Sequence, residues 1–170
     1  DTIKTADSLK MIIRAGAGTN TIDTDAAAEK GIYVCNCPGK NALAVAELAF
    51  GLLLSIDRNI PDNVIEMRNN NWDKKRFSKT QGIYGRNVGI VGLGQIGLAF
   101  AERAKAFGMN LYAIAKTRSP ESQKRLDNLG FSCCKDLNEL AETCDVLTFH
   151  VPSNADTKNL INKELLSHVK

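Results

Sequence analysis

NVGIVGLGQIGLAFAERAKAFG, residues 87–108, carries a strand, a glycine-rich turn and a helix in immediate succession. Val88 to Val91 is apolar and bounded by turn residues, which predicts a buried strand. Gly92-Leu-Gly-Gln-Ile-Gly97 is a GxGxxG turn, and Leu98 to Phe107 continues as a helix ending at Gly108. Such a turn between strand and helix is a dinucleotide-binding signature, and its chemistry can be assigned residue by residue. Gly92 permits the tight turn, Gly94 lets a pyrophosphate approach the backbone, and Gly97 lets the helix pack on the strand. The N–H groups of Gln95 and Ile96 then point at phosphate, with the helix dipole behind them.

Downstream, Asn110 to Ala115 predicts the next strand, and 119–129 a helix with Pro120 at its first position and Gly130 just past its end. Phe131 to Cys134 reads as a short strand, Asp136 to Thr143 as a helix, Asp145 to Val151 as a buried strand and Asn159 to Val169 as a last helix. Strands alternating with helices predict an α/β, doubly wound parallel sheet of Rossmann type. The residue that reads the adenosine ribose belongs at the end of the second strand. Ala115 stands there in place of an acid, followed by Lys116-Thr-Arg118. No carboxylate opposes a 2′-phosphate and two cations lie within its reach, so NADP is favoured over NAD.

Upstream, Lys10 to Gly18 is an apolar run stopped by two glycines, and predicts a buried strand running into a tight loop. Asp25 to Lys30 predicts a short helix capped by Asp23 or Thr24, and Ile32 to Asn36 a second strand parallel to the first. From Asn41 to about Asn71 the pattern is helical, broken or restarted at Pro61. Its first half is apolar nearly all round and is expected to be buried on most sides. The polar, basic segment around Trp72 reads as a surface arm, with Lys74-Lys75-Arg76 a solvated face.

The 170 residues suit one domain or two small lobes, and 44% apolar with 24% charged residues is an ordinary globular balance. A chain this long buries roughly 70% of its unfolded surface, so no disulfide or metal staple is needed. Lys plus Arg exceed Asp plus Glu by 22 − 19 = 3, too little to argue for nucleic acid. Five cysteines, Cys35, Cys37, Cys133, Cys134 and Cys144, have neither disulfide-framework nor zinc-ribbon spacing. Reduced thiols and a cytoplasmic location are expected, with no metal. The longest apolar stretch, Ala42 to Ser55, contains Glu47 and falls short of the ~20 residues of a membrane span. The opening DTIKTADSLK has no signal-peptide pattern and no initiator Met, so the chain is expected to begin inside a longer protein.

Four motifs in order, RAGAG (14–18), NCPGKNALAVAEL (36–48), VGIVGLGQIG (88–97) and HVP (150–152), resemble the D-2-hydroxyacid dehydrogenase family, most closely its branch acting on D-3-phosphoglycerate. The resemblance implies a flavodoxin-like substrate domain, whose tail is residues 1–39, and a nucleotide domain from residue 40 to 170, truncated at its C-terminal side, with the active site between them. It implies a homodimer, with the arm around Trp72 at the contact. By the same resemblance the loop carrying Arg14, Gly16 and Ala17 offers N–H groups to a substrate carboxylate, Ala17 also touching the cofactor. Arg14 matches an arginine that can face a substrate phosphate, and a surface Arg ending a strand is its plain structural reading. Asn41 matches a substrate-side asparagine, and a helix N-cap is the structural reading of the same residue.

His150, Val151 and Pro152 match a segment beside the adenosine half of the cofactor, which makes His150 structural or cofactor-lining and not catalytic. His168 is expected at the surface. Asn20-Thr21 stands where the family often has Asp-Asn, and Ala17 and Val151 where threonines are frequent, which removes hydroxyl contacts. The family's carboxylate-holding Arg, acid-base His and orienting Glu match positions beyond Lys170, so no catalytic residue is assigned within the chain. The implied activity is hydride transfer between NAD(P) and a 2-hydroxy acid/2-oxo acid pair, with 3-phosphoglycerate first and glyoxylate or hydroxypyruvate second. A non-catalytic NAD(H)-sensing corepressor-like module is the alternative of another class.

Overall fold

The structure, a computed structural model, describes residues 2–116 and 119–170. It divides into two compact units, residues 1–43 and 44–170. The first holds α1 (Thr2–Thr5), β1 (Met11–Ile13), α2 (Thr24–Glu29) and β2 (Tyr33–Cys35). β1 and β2 pair in parallel, Met11 opposite Tyr33 and Ile13 opposite Cys35. Asp23 caps α2 by accepting the Ala26 N–H at 3.0 Å, and Lys30 ends it before Gly31 turns the chain with φ +67°.

The second unit contains α3 (Ala42–Asp57, starting at the boundary), α4 (Ile60–Arg68), α5 (Lys74–Phe77), β3 (Asn87–Val91), α6 (Gln95–Ala106) and β4 (Asn110–Ile114). α7 (Pro120–Leu129), β5 (Ser132–Cys134), α8 (Leu137–Thr143), β6 (Val146–Phe149) and α9 (Lys163–Leu166) complete it. Its sheet has the order β5-β4-β3-β6, every pair parallel. β3 therefore has β4 on one side and β6 on the other, so the winding reverses beside it. In open α/β sheets that switch point is where the carboxyl ends of the strands leave a crevice.

β3 is buried from Val88 to Val91 because both of its faces are covered. On one face Val88 and Ile90 meet Phe100, Ala101 and Ala104 of α6 together with Ala46 and Phe50 of α3. The Phe50 ring lies 5.5 Å from Phe100, edge to face, and 4.8 Å from Phe107. On the other face Val91 packs with Leu140, Cys134 and Cys144. At the start of β3, Asn87 N–H donates to Asp145 Oδ2 at 2.9 Å, which holds that carboxyl below its usual pKa. Arg86 reaches Asp57 at 3.0 Å, tying the end of α3 to the sheet.

Four expectations require correction. α3 is not buried on most sides: Leu48, Leu52 and Ile56 are 65%, 55% and 76% exposed. Its small Ala46 and large Phe50 face the sheet, and the i, i+4, i+8 row of Leu48, Leu52 and Ile56 faces outward. β1 is not buried, Met11 and Ile13 being 48% and 68% exposed. The helical run does restart at Pro61 as expected, after a break at Arg58-Asn59 where Asn59 has φ +50°, with Pro61 in the first turn of α4. Proline is tolerated in that turn because its missing N–H would have had no partner there. α6 begins at Gln95, not Leu98, so half of the GxGxxG segment is already helical. The last helix shrinks to the four residues of α9, started by Asn162 accepting the Leu165 N–H at 2.9 Å.

In the arm, Trp72 is 77% exposed. Arg76 of the basic cluster pairs with Glu66 at 3.2 Å and Asp62 at 3.9 Å, and lies 5.0 Å over the Phe77 ring.

Candidate functional site

A cavity of about 680 Å³ opens at the carboxyl ends of β3 and β4. Its floor is Ile90 to Gln95, one wall is Ile114 to Lys116, and the opposite wall is Ser119, which caps α7, with the α7 face that carries Ser122, Arg125 and Leu126. Val151 closes it beyond β6.

The three glycines of the turn differ in what they permit. Gly92 has φ +98°, and a Cβ there would overlap the backbone carbonyl of His150. A Cβ on Gly97 would overlap the carbonyl oxygen of Gly92, so only glycine lets α6 sit this close to the turn. Gly94 has nothing within 4 Å of where its Cβ would lie, and that open volume belongs to the cavity. The helical ladder of α6 starts with Leu98 N–H donating to Gly94 O at 3.0 Å. The N–H groups of Gln95, Ile96 and Gly97 are left without intrahelical acceptors at the positive end of a 12-residue helix. Space without a side chain, three N–H donors and a helix dipole together suit a pyrophosphate.

Of the residues assigned to the cofactor from sequence, the cavity gathers Gly92, Gly94, Gln95, Ala115, Lys116 and Val151. Ile96 packs into the core, Gly97 is buried, and Pro152 is not in the cavity wall. His150 lies behind the turn: its Nε2 is 2.9 Å from Thr148 Oγ1 and its ring 5.5 Å from Phe100. Burial keeps its pKa below the ordinary histidine value. Arg118 lies outside the described residues, and Ala17 belongs to the first unit. Sequence reasoning passed over Ser122, Arg125 and Leu126. Their i, i+3, i+4 relation to one another within a helix following the second strand was the available signal. Among the described residues of the cavity wall, the charged side chains are Lys116 and Arg125, with no carboxylate.

The first unit carries a second small-residue loop. Arg14 N–H donates to Cys35 O at 2.8 Å, Cys37 N–H to Gly16 O at 3.0 Å, and Asn36 Nδ2 to Ala17 O at 2.7 Å. The exposed Arg14 side chain folds back to Gly18 O at 3.3 Å. The N–H groups of Ala17 and Gly18 meet no acceptor among the described residues. Asn41 is exposed, and its side chain makes no capping hydrogen bond with the described residues. Asn41 stands directly before α3 but lacks the side-chain bond to the first turn that the helix-cap reading implies, which corrects that reading. Ala42 N–H bonds Gly39 O at 3.1 Å, closing the turn that leads into the helix.

Elsewhere, His168 follows α9, partly exposed, with Nδ1 2.7 Å from Glu142 Oε1. The five thiols are free; Cys35, Cys37 and Cys133 are exposed, and burial pushes Cys144 up to about 12. Among the described residues no group of three His, Cys, Asp or Glu could hold a metal ion, and no helix is long and apolar enough to cross a membrane.

The profile of the D-isomer specific 2-hydroxyacid dehydrogenase NAD binding domain matches residues 50–170. A D-3-phosphoglycerate dehydrogenase of Methanocaldococcus jannaschii is 40% identical over 171 residues, covering 100% of this chain and 32% of that protein. A hydroxypyruvate reductase of Thermotoga maritima is 37% identical over 170 residues, covering 100% of this chain and 53% of its own length. A Granulicella formate dehydrogenase structure superposes with a TM-score of 0.88 at 32% identity, covering 99% of this chain and 44% of its own. The chain thus spans about a third to a half of the length of these relatives.

Proposed function

The chain belongs to the D-isomer specific 2-hydroxyacid dehydrogenase family, and we propose that it is the nucleotide-binding part, with an adjoining piece of the substrate-binding part, of an enzyme interconverting a D-2-hydroxy acid and its 2-oxo acid. The observation that carries this reading is the Gly92–Gly97 turn, where Gly92 and Gly97 are sterically required and Gly94 borders open space. When bound, a nicotinamide dinucleotide supplies or accepts the hydride. This chain's residues hold and orient it. Gly94, Gln95, Ile96 and Gly97 present N–H groups to the pyrophosphate, Ala115, Lys116 and Arg118 border the adenosine ribose, and His150, Val151 and Pro152 support the site from beyond β6. Arg14, Gly16, Ala17 and Asn41 are the substrate-facing residues, the loop N–H groups binding the carboxylate as a small anion nest.

3-Phosphoglycerate is the proposed substrate, supported by the identity to the Methanocaldococcus protein; hydroxypyruvate is second, on the likeness to the Thermotoga reductase. The intact protein is proposed to be a cytoplasmic homodimer with reduced thiols. The outward apolar row of α3 and the exposed Trp72 support the dimer.

NADP is the proposed cofactor, because no carboxylate among the described residues lines the cavity and Ala115 stands at the ribose position. A charge-assisted bond from Arg118 to a 2′-phosphate contributes roughly 1.5–3 kcal/mol, about ten- to a hundredfold in preference. Steady-state kcat/KM of the intact protein with NADPH and NADH, in wild type and Arg118→Ala, tests this. NADPH is expected to be used at least as well as NADH, with the advantage reduced in the variant. A preference for NADH that Arg118→Ala leaves unchanged overturns the cofactor assignment.

A further inference from the structure

Arg125 and Glu121 are one turn apart on α7, paired at 2.9 Å, with the two side chains 60% and 79% exposed. Arg125 lines the dinucleotide cavity, whereas Glu121 does not. Ser119, Ser122 and Arg125 lie at i, i+3 and i+6, so they form one stripe along the cavity side of α7. Ser119 Oγ accepts the Ser122 N–H at 3.3 Å and donates to Ser122 Oγ at 2.9 Å. The two hydroxyls sit together on the cavity side, where a hydroxyl can donate to an acceptor in the cavity. The stripe thus offers a hydroxyl donor and a guanidinium, beside the N-terminus of a 10-residue helix.

We propose that Arg125 is a specificity-determining residue for the adenosine 2′-phosphate, and that Glu121 holds it in reserve. The inference rests on the reading of the cavity as an NADP site and names a residue that reads its distinguishing group. An exposed i, i+4 ion pair is weak and easily exchanged. A 2′-phosphate carries more charge than a carboxylate and offers a guanidinium two parallel bonds, so it draws Arg125 away from Glu121. A neutral ribose 2′-hydroxyl has no such pull, and Arg125 stays on Glu121 when NAD is bound. Arg125 therefore discriminates between the two cofactors without being needed for either fold or pyrophosphate binding. Removing Glu121 should improve recognition of the 2′-phosphate, because Arg125 then has no competing carboxylate.

The test is calorimetric titration of the intact protein with 2′,5′-ADP and with 5′-ADP, in wild type, Arg125→Gln and Glu121→Gln. Arg125→Gln is expected to weaken 2′,5′-ADP roughly tenfold or more, and Glu121→Gln to tighten it about three- to tenfold. 5′-ADP affinity should change less than about twofold in both, which also reports an intact site. If both variants bind 2′,5′-ADP like wild type, or if Arg125→Gln weakens both nucleotides equally, the inference is overturned while the NADP reading stands. If wild type binds 5′-ADP but gains nothing from the 2′-phosphate, the NADP reading fails and takes this inference with it.

Discussion

The two small-residue loops both leave backbone N–H groups without an acceptor among the described residues, yet they are held by different means. In the 92–97 turn the constraint is steric: backbone carbonyls of His150 and Gly92 occupy the places where Cβ atoms would go. In the 14–18 loop it is hydrogen bonding: Asn36 and Cys37, just past β2, fasten Ala17 and Gly16. The atoms nearest a Cβ at Gly16 would be those of the Arg14 guanidinium, 3.7 Å away and on a flexible side chain. The first loop is thus a property of close backbone packing, and the second a property of side-chain and edge bonds. One is intolerant of added atoms, the other of lost polar partners.

Substitutions at three glycines sharpen or break that contrast. The largest effect is expected for Gly97→Ala, whose methyl would overlap backbone and has no route to relax. A loss on the order of 4 kcal/mol in urea unfolding is expected, and a near-neutral result would show that the turn is not sterically locked. Gly94→Ala comes next and separates binding from folding. It should cost no more than about 1 kcal/mol of stability while lowering dinucleotide affinity at least roughly tenfold, because the methyl enters the volume proposed for pyrophosphate. Retained affinity in titration would place the phosphates elsewhere. The smallest effect is expected for Gly16→Ala, within about 0.5 kcal/mol by the same unfolding measurement. A loss comparable to that of Gly97→Ala would erase the distinction between the loops.

Much of the second unit was legible because its signals are local. Ser119 and Asp136 cap their helices through side chains that sequence displays directly, as Asp23 does in the first unit, and Gly130 takes φ +74° just past α7. The start of α6 was misplaced because Gly94 serves as its N-cap with no side chain to announce it. The restart of the long helical run was legible because Pro61 is a residue that a helix accommodates in its first turn. α3 looked buried because apolar residues occur all round it, and composition cannot tell a core face from an exposed one. Arg125 was overlooked for the opposite reason: on a polar helix it reads as one more surface cation until the cavity shows which way α7 faces.

The contact of Gly97 on the Gly92 carbonyl also bears on how fast and how cheaply an anion can be captured. Its donors are already aimed when the helix forms, so ordering that segment is part of the free energy of folding and is not deducted from binding. Encounter with a dinucleotide then needs little backbone search at the pyrophosphate. The same rigidity means that adaptation to different nucleotides must come from mobile side chains such as Arg125 at the rim, with the glycine turn serving as an invariant anchor.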